Sequence, residues 1–344
     1  MPATLPLSAQ DRLLVVAPHP DDETLAAGEL IQAARAAGAA VRVLYATDGD
    51  NNPWPQRWIE KRWRLDGAAR ERWARRRREE ASAALAALVP DGAIDVRRLG
   101  WPDQGLTDAL MGGDGAHAAL RAELDAFEPT HVVMPSLGDR HPDHSALHVM
   151  LELALLRRAR PCQRLAYLIH AHAAGSGIAL PPDPARQARK RAAMEAYASQ
   201  LSLSRGRLLA LAARTETFVP IDAPAMREHA SLFLQRPRGT RWRAHDLLLV
   251  LASGERTLRI RTRVPQHARS FALEADGRTL HARVGAEAIE VALPPALRAC
   301  VAWTKWHRSG ARLVVFDRAT WRCVDAEAGS APRPIDAHVA AGLG

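Results

Sequence analysis

Apolar and polar positions divide this chain into two textures. Up to about residue 240, apolar runs of strand length alternate with longer stretches whose apolar residues recur at helical spacing. The runs are Leu13 to Ala17, Val41 to Ala46, Val96 to Leu99, Val132 to Met134 and Leu165 to His172. The helical stretches are Glu23 to Ala37, residues 66–88, Ala116 to Phe127 and Ser145 to Arg158, with one more opened by Pro181-Pro182-Asp183-Pro184 and running to about Gln200. This alternation predicts an α/β fold, a Rossmann-like and mostly parallel sheet with helices on both faces. Past Arg236-Pro237-Arg238-Gly239 the period shortens. Short β-like runs follow at Leu247 to Leu251, Leu258 to Val264, Phe271 to Ala275, Leu280 to Val284, Ile289 to Leu293, Val301 to Trp306 and Leu313 to Phe316. Asp276-Gly277 between two of them is a hairpin signal. A small β-rich, sandwich-like C-terminal domain is therefore expected, with domains at 1–240 and 241–330 and a flexible tail at 331–344.

Two of the strand ends carry polar clusters. The first run breaks at Pro18 and Pro20 and delivers His19, Asp21, Asp22 and Glu23 to its carboxyl end, where open α/β sheets build their sites. Three carboxylates beside an imidazole are costly to crowd unless a cation neutralises them. A helix start explains part of the pattern equally well, with Asp21 or Asp22 as cap and Glu23 on the helix dipole. The second cluster, Asp139 followed by His141-Pro142-Asp143-His144, sits between another strand and another helix. A repeated His-Pro-Asp turn on strands of one sheet lets His19, one aspartate and one later histidine meet around one ion. Two imidazoles and a carboxylate leave a coordination position open, as in catalytic zinc sites.

With both clusters in view, the chain resembles the PIG-L or LmbE-like family of metal-dependent N-acetylglucosaminyl deacetylases, whose signatures are A-H-P-D-D-E and a later H-P-D-H. The first reads Ala17-Pro18-His19-Pro20-Asp21-Asp22-Glu23 here, with a proline before the histidine, and the second is intact. Thr47-Asp48-Gly49, Arg77 and Glu80, Leu99-Gly100-Trp101-Pro102-Asp103, Lys190, Ser199-Gln200 and Glu216-Thr217-Phe218 extend the similarity over about residues 10 to 235. The resemblance implies metal ligands at His19, Asp22 and His144, with Asp21 as general base and His141 polarising the carbonyl or protonating the leaving amine. Asp139 and Asp143 would support the ligands, and Arg77 and Asp103 would reach substrate. The implied reaction is hydrolysis of an N-acetyl group on an amino sugar or N-acetylglucosaminyl conjugate. Zinc (Zn2+) is the first choice of cofactor and ferrous iron (Fe2+) the second. Hydrolysis of another amide, iron-dependent oxygenation, and glycan or anion binding around a structural metal are the alternatives.

Composition narrows the class. The chain has 344 residues, 47% of them hydrophobic, enough for two domains with a substantial core. No apolar run follows a basic start within Met1 to Arg12, and no segment reaches the roughly 20 apolar residues of a membrane span. Cys162, Cys300 and Cys323 lack ligand-like spacing and suit a reducing cytoplasm. The net charge of +9 could suggest nucleic acid, but no binding motif accompanies it, so no nucleic acid partner is expected. The dense run Arg75-Arg76-Arg77-Arg78 reads as a solvated helix face or, more sharply, as a patch for an anionic glycoconjugate. Oligomerisation through the β domain stays open.

Three of the nine tryptophans, Trp54, Trp58 and Trp63, lie among Arg57, Lys61, Arg62 and Arg64. They either pin a short helix to the body or form a lid whose indoles stack on sugar rings, with Trp58 as the substrate-binding candidate. His170 and His172 fall on one face of an expected strand, and His148 follows His144 by one helical turn. His170 and His172 are candidates to join the site as donors to ligand carboxylates, and His148 is a further candidate ligand, but all three read more simply as surface or satisfied core residues.

Overall fold

The computed structural model describes residues 5–90, 92, 94–158, 160–170, 177–237, 245–265, 269–308 and 320–324. The described chain forms two compact units, Met1–Pro224 with Arg308–Trp321, and Ala225–His307 with Arg322–Gly344.

The first unit is an α/β layer structure. Its strands are β1 (Arg12–Ala17), β2 (Ala40–Thr47), β3 (Asp95–Trp101), β4 (His131–Pro135), β5 (Gln163–Tyr167), β6 (Ile178–Ala179) and β7 (Thr217–Ile221). They lie in the order β3-β2-β1-β4-β5-β7-β6. The first five strands are parallel, and β7 is antiparallel to both β5 and β6. The order runs outward from β1 to β3 and then reverses to β4, with Leu13 opposite His131 and Val15 opposite Val133. The crevice beyond the carboxyl ends of β1 and β4 is thus the topological switch point, where such sheets bind ligands. Leu13, Val15, Val43 and Val133 are fully buried, as continuous apolar strands covered on both faces must be.

The helices are α1 (Asp22–Ala36), α2 (Pro53–Glu60), α3 (Gly67–Leu88), α4 (Leu106–Met111), α5 (Gly115–Phe127), α6 (Pro142–Leu156), α7 (Pro184–Glu195) and α8 (Ala198–Ala212). Helix α1 is kinked at Ala27, which leaves donors on its inner face without helical partners. Glu216 supplies the acceptors: its carboxylate oxygens accept from Glu29 N at 2.7 Å and Leu30 N at 2.9 Å, and Lys190 Nζ pairs with it at 2.7 Å. Glu80 acts similarly at the start of α8, accepting from Ser199 N at 2.8 Å and Ser199 Oγ at 2.6 Å. These buried pairs brace the helices under the crevice.

The structure departs from the sequence expectations in several places. Helix α6 begins at Pro142 rather than Ser145, because proline is preorganised for a first turn and His141 caps it; His144 is thereby inside the helix. Strand β5 stops at Tyr167, so no alternating strand carries His170, and His172 lies outside the described residues. The helix expected to run to Gln200 is broken at Ala196 and Tyr197 into α7 and α8.

The second unit is antiparallel. Strands β8 (Arg227–Glu228), β9 (Ser231–Gln235), β10 (His245–Ser253), β11 (Arg256–Arg263), β12 (Ser270–Ala275), β13 (Arg278–Val284), β14 (Ala288–Ala292), β15 (Ala299–Arg308) and β16 (Arg322–Cys323) form two sheets. One has the order β11-β10-β15-β16 with β8 beside β15; the other is β12-β13-β14-β9. Asp276 and Gly277 both have positive φ, 49° and 71°, as the tight hairpin between β12 and β13 demands. Strand β9 pairs with β14, so this unit takes up the chain at Ala225, ahead of the expected position 241. The run Leu313 to Phe316 and the tail at 331–344 lie outside the described residues.

Candidate active site

The turn after β1 is locked from both sides. Pro18 O accepts from Thr47 N at 3.0 Å and from Thr47 Oγ1 at 2.9 Å, tying the turn to the end of β2. Asp21 then adopts φ 109°, a conformation costly for any residue with a Cβ. Arg77 on α3 holds it there: Nη2 donates to Pro20 O and lies 3.3 Å from Asp21 Oδ2. Of the four-arginine run, Arg77 is the one turned inward, while Arg75 and Arg76 face solvent and Arg78 bridges Asp48 and Glu71. Gly49 makes room for it, since a Cβ there would meet Arg77 Nε at 3.0 Å.

Asp22 opens α1 and gathers imidazoles. Its Oδ2 accepts from His19 N at 2.9 Å and lies 3.1 Å from His19 Nδ1 and 3.2 Å from His144 Nε2. The opposite nitrogen of His19 faces Asp103 Oδ1 at 3.1 Å and Asp143 Oδ2 at 3.2 Å. Glu23 does not join the cluster. It points under the turn, accepting from Tyr197 Oη and from Thr24 Oγ1, which corrects the expectation that all three acids share one spot.

The turn after β4 is organised by Asp139. Its Oδ1 accepts from His141 N at 2.9 Å, and its Oδ2 accepts from Ile169 N and His170 N at 3.1 and 3.2 Å. The same Oδ2 lies 3.2 Å from His144 Nδ1. Asp143 N donates to His141 Nδ1 at 3.3 Å, which places the proton of a neutral His141 on Nε2. Asp143 accepts from Gln104 N at 2.7 Å and Leu106 N at 3.1 Å, fixing the loop that carries Asp103.

Electrostatics follow from this crowding. Burial, with repulsion from Asp22 and Glu23, outweighs the pull of Arg77 and raises the Asp21 carboxyl to about 7. His144 is pushed up to about 10: burial opposes the charge, but Asp22 and Asp139 outweigh it. Asp22 and Asp139 are in turn held low by His144 against the effect of burial. Burial and the surrounding imidazoles lower His141, and burial with His144 lowers His170 to about 4.

The cluster fits a metal ion. His144 is fully buried, and neither ring nitrogen makes a hydrogen bond despite the adjacent carboxylates. Buried imidazole nitrogens are seldom left so, and a cation beside Nε2 and Asp22 Oδ2 would satisfy one of them. Among the described residues, three sets present ligand atoms within 4.8 Å of one another: His19, His141 and His144; Asp22, His144 and His170; and His19, Asp103 and Asp143. Two nitrogens and a carboxylate oxygen suit zinc or ferrous iron better than magnesium or calcium.

A cavity of about 280 Å³ opens onto the cluster. Its floor comprises His19, Asp21, Asp22, Asp103, His141 and Arg77. Trp54 lines it, whereas Trp58, one turn further along α2, does not and is covered by Lys61 at 4.1 Å. His170 also lines it, with its ring 4.9 Å from that of His144. Its place just past the end of β5, beside β4, was the available signal. His148 instead bonds Pro135 O at 2.8 Å and serves the core.

Fold and site together define an α/β protein with a cation-ready, acid-rich cleft at its switch point. Residues 14–155 match the family described as PIG-L: GlcNAc-PI de-N-acetylase. The chain is 32% identical over 194 residues to the 1D-myo-inositol 2-acetamido-2-deoxy-alpha-D-glucopyranoside deacetylase of Mycobacteroides abscessus, covering 50% of this chain and 66% of that protein. It is 35% identical over 162 residues to the enzyme of the same name from Mycolicibacterium gilvum, covering 42% of this chain and 54% of the relative. The matched part thus spans between half and two thirds of these relatives. Among solved structures, the A40926 pseudoaglycone deacetylase is similar at 26% identity and a TM-score of 0.50, over 63% of this chain and 99% of that one.

Proposed function

We infer that the protein is a metal-dependent amide hydrolase that removes the N-acetyl group from an amino sugar or N-acetylglucosaminyl conjugate. His19, Asp22 and His144 would hold one divalent cation, zinc first and ferrous iron second. The observation that carries the reading is the buried His144, whose Nε2 converges with His19 Nδ1 on one carboxylate oxygen, Asp22 Oδ2, at 3.2 and 3.1 Å. The relatives, named as deacetylases of acetamido sugars, support the acyl group and the sugar.

When bound, the cation supplies a Lewis acid that acidifies water and polarises the acyl oxygen. Asp21 lines the cavity and takes the proton of the attacking water, with Arg77 fixing the direction of its carboxylate. His141, protonated on Nε2, donates to the developing oxyanion or to the departing amine. Asp139 and Asp143 fix the rings of His144 and His19 from behind. Asp103 and Arg77, which line the cavity, accept from and donate to sugar hydroxyls in this reading. Among the described residues no helix is long and apolar enough to cross a membrane, and no cysteine is disulfide-bonded, which supports a cytoplasmic location.

Metal analysis of protein purified without added metal, paired with acetate release from N-acetylglucosaminides, tests the reading. About one zinc or iron per wild-type chain with acetate release is expected, both lost in Asp22→Ala. A metal-free, folded wild type that binds glycans without releasing acetate would replace catalysis with binding.

A further inference from the structure

The cavity lining is mixed. Beside the ionic groups it includes Pro53, Trp54 and Pro55 on α2 and Leu203 and Leu208 on α8, interspersed with the polar Asn52, Gln200, Ser204 and Arg207. Among the described residues of this unit, the large apolar side chains left well exposed are Trp54, Trp58, Trp63, Val96, Leu203 and Val219. Two of these, Trp54 at 54% exposed and Leu203 at 47%, border this one cavity. Large apolar side chains left open to water at one ligand-sized cavity are where an apolar ligand group gains most from burial.

The start of α2 is tied to its surroundings. Asn52 Nδ2 donates to Gln200 Oε1 in the first turn of α8 at 3.0 Å, and Asn51 N donates to Asp103 Oδ2 at 3.1 Å. Helix α8 is interrupted at Ser204, and residues on both sides of the break line the cavity. One face of the Trp54 indole carries the Arg57 guanidinium, 5.4 Å from the ring centre, which orients the ring. At about 280 Å³ the cavity is at the small end for ligand sites and accommodates little more than one sugar ring beside the ionic groups. Trp54 and Leu203 are the well-exposed apolar side chains of this lining that a substituent on that sugar would meet.

Resting on the deacetylase reading, we propose that the substrate is an N-acetylamino sugar glycosidically linked to an apolar aglycone, alkyl or aryl, which packs on Trp54 and Leu203. These two side chains form a specificity subsite. It discriminates by the aglycone, while the ionic groups handle the acetamide.

The test compares methyl, octyl and phenyl N-acetylglucosaminides as substrates, and the corresponding glucosaminides as ligands followed by tryptophan fluorescence and calorimetry. In wild type, octyl or phenyl glycosides should exceed the methyl glycoside in kcat/KM by roughly tenfold or more, mainly through KM, as expected for burying a few apolar carbons. Trp54→Ala and Leu203→Ser should each collapse that ratio with metal content and melting temperature intact, and Trp63→Ala should leave it in place. A phenyl preference lost only in Trp54→Ala would assign stacking; an octyl preference lost in both would assign apolar burial, and either supports the subsite. Equal kcat/KM across the three glycosides, or a preference that survives both substitutions, overturns it. If no glycoside is deacetylated but octyl glucosaminide binds tighter than methyl in a Trp54-dependent way, the subsite stands and the deacetylase reading falls. Deacetylation of all three glycosides with equal glucosaminide binding keeps the reaction and removes the subsite.

Discussion

The turns after β1 and β4 share a His-Pro-Asp sequence on neighbouring parallel strands, yet they are stabilised in opposite ways. After β4, one carboxylate does the organising: Asp139 accepts from His141 N within the turn and from Ile169 N and His170 N past β5, and it flanks His144, so the carboxylate is fully served by backbone donors. After β1, Asp21 sits in a left-handed conformation beside Asp22 and Glu23 and is restrained from outside by Arg77. A carboxylate fed by backbone donors is content in the interior, whereas clustered carboxylates need a cation. Each turn carries both kinds of group, His19, Asp22 and Asp21 on the strained one and His144 and His141 on the other, and the proton acceptor Asp21 is the one held in the strained conformation. Strain of this kind collects at functional sites.

Substitutions can break that contrast, beginning with the largest effect. Asp22→Ala removes the oxygen shared by His19 and His144, so stoichiometric metal and acetate release should both vanish while circular dichroism stays native. Full metal retention would remove Asp22 from the ligand set. Asp21→Asn keeps the shape of the first turn and removes only its proton acceptor. Turnover should drop by about 10²- to 10⁴-fold with metal content preserved; an unchanged kcat would place the base elsewhere. Asp139→Asn acts on the second turn and reaches the metal site through His144, so metal affinity measured by competition with a chelator should weaken about 10- to 100-fold. A loss of folding without any change in affinity would make Asp139 a purely structural anchor. Trp58→Ala lies outside both turns and the cavity; stability should shift by no more than about 0.5 kcal/mol and KM should stay put. A several-fold rise in KM would restore the lid that its sequence suggested.

Much of this was readable along the chain. The apolar runs identified β1 to β4 and the later antiparallel strands, because a buried strand and a helical face each impose a period on local sequence. His19 and a histidine of the second cluster were legible as a pair because each cluster follows such a strand, while the choice of His144 over His141 rested on the family resemblance. Glu23 was misplaced for the opposite reason: its partner Tyr197 is distant in sequence, and no local pattern announces that contact. From sequence His170 is a candidate site member that ranks below a surface or core role, because the alternation around it mimics a strand that in fact ends at Tyr167. Arg77 could be told from its neighbours only when α3 packed, since four consecutive arginines on a helix point in four directions and one of them meets Asp21.

The sequence by itself determined the layered α/β class, the change to β texture, and the two polar turns, all of which rest on short-range periodicity and turn chemistry. Tertiary structure alone decided that β1 and β4 are adjacent at the point where strand order reverses, and hence that the two turns meet. It also decided which acid faces the cavity, which arginine restrains it, and that Trp54 rather than Trp58 reaches the cavity. Those outcomes depend on how elements distant in sequence pack against one another, and packing is a property of the assembled surfaces rather than of any single stretch of chain.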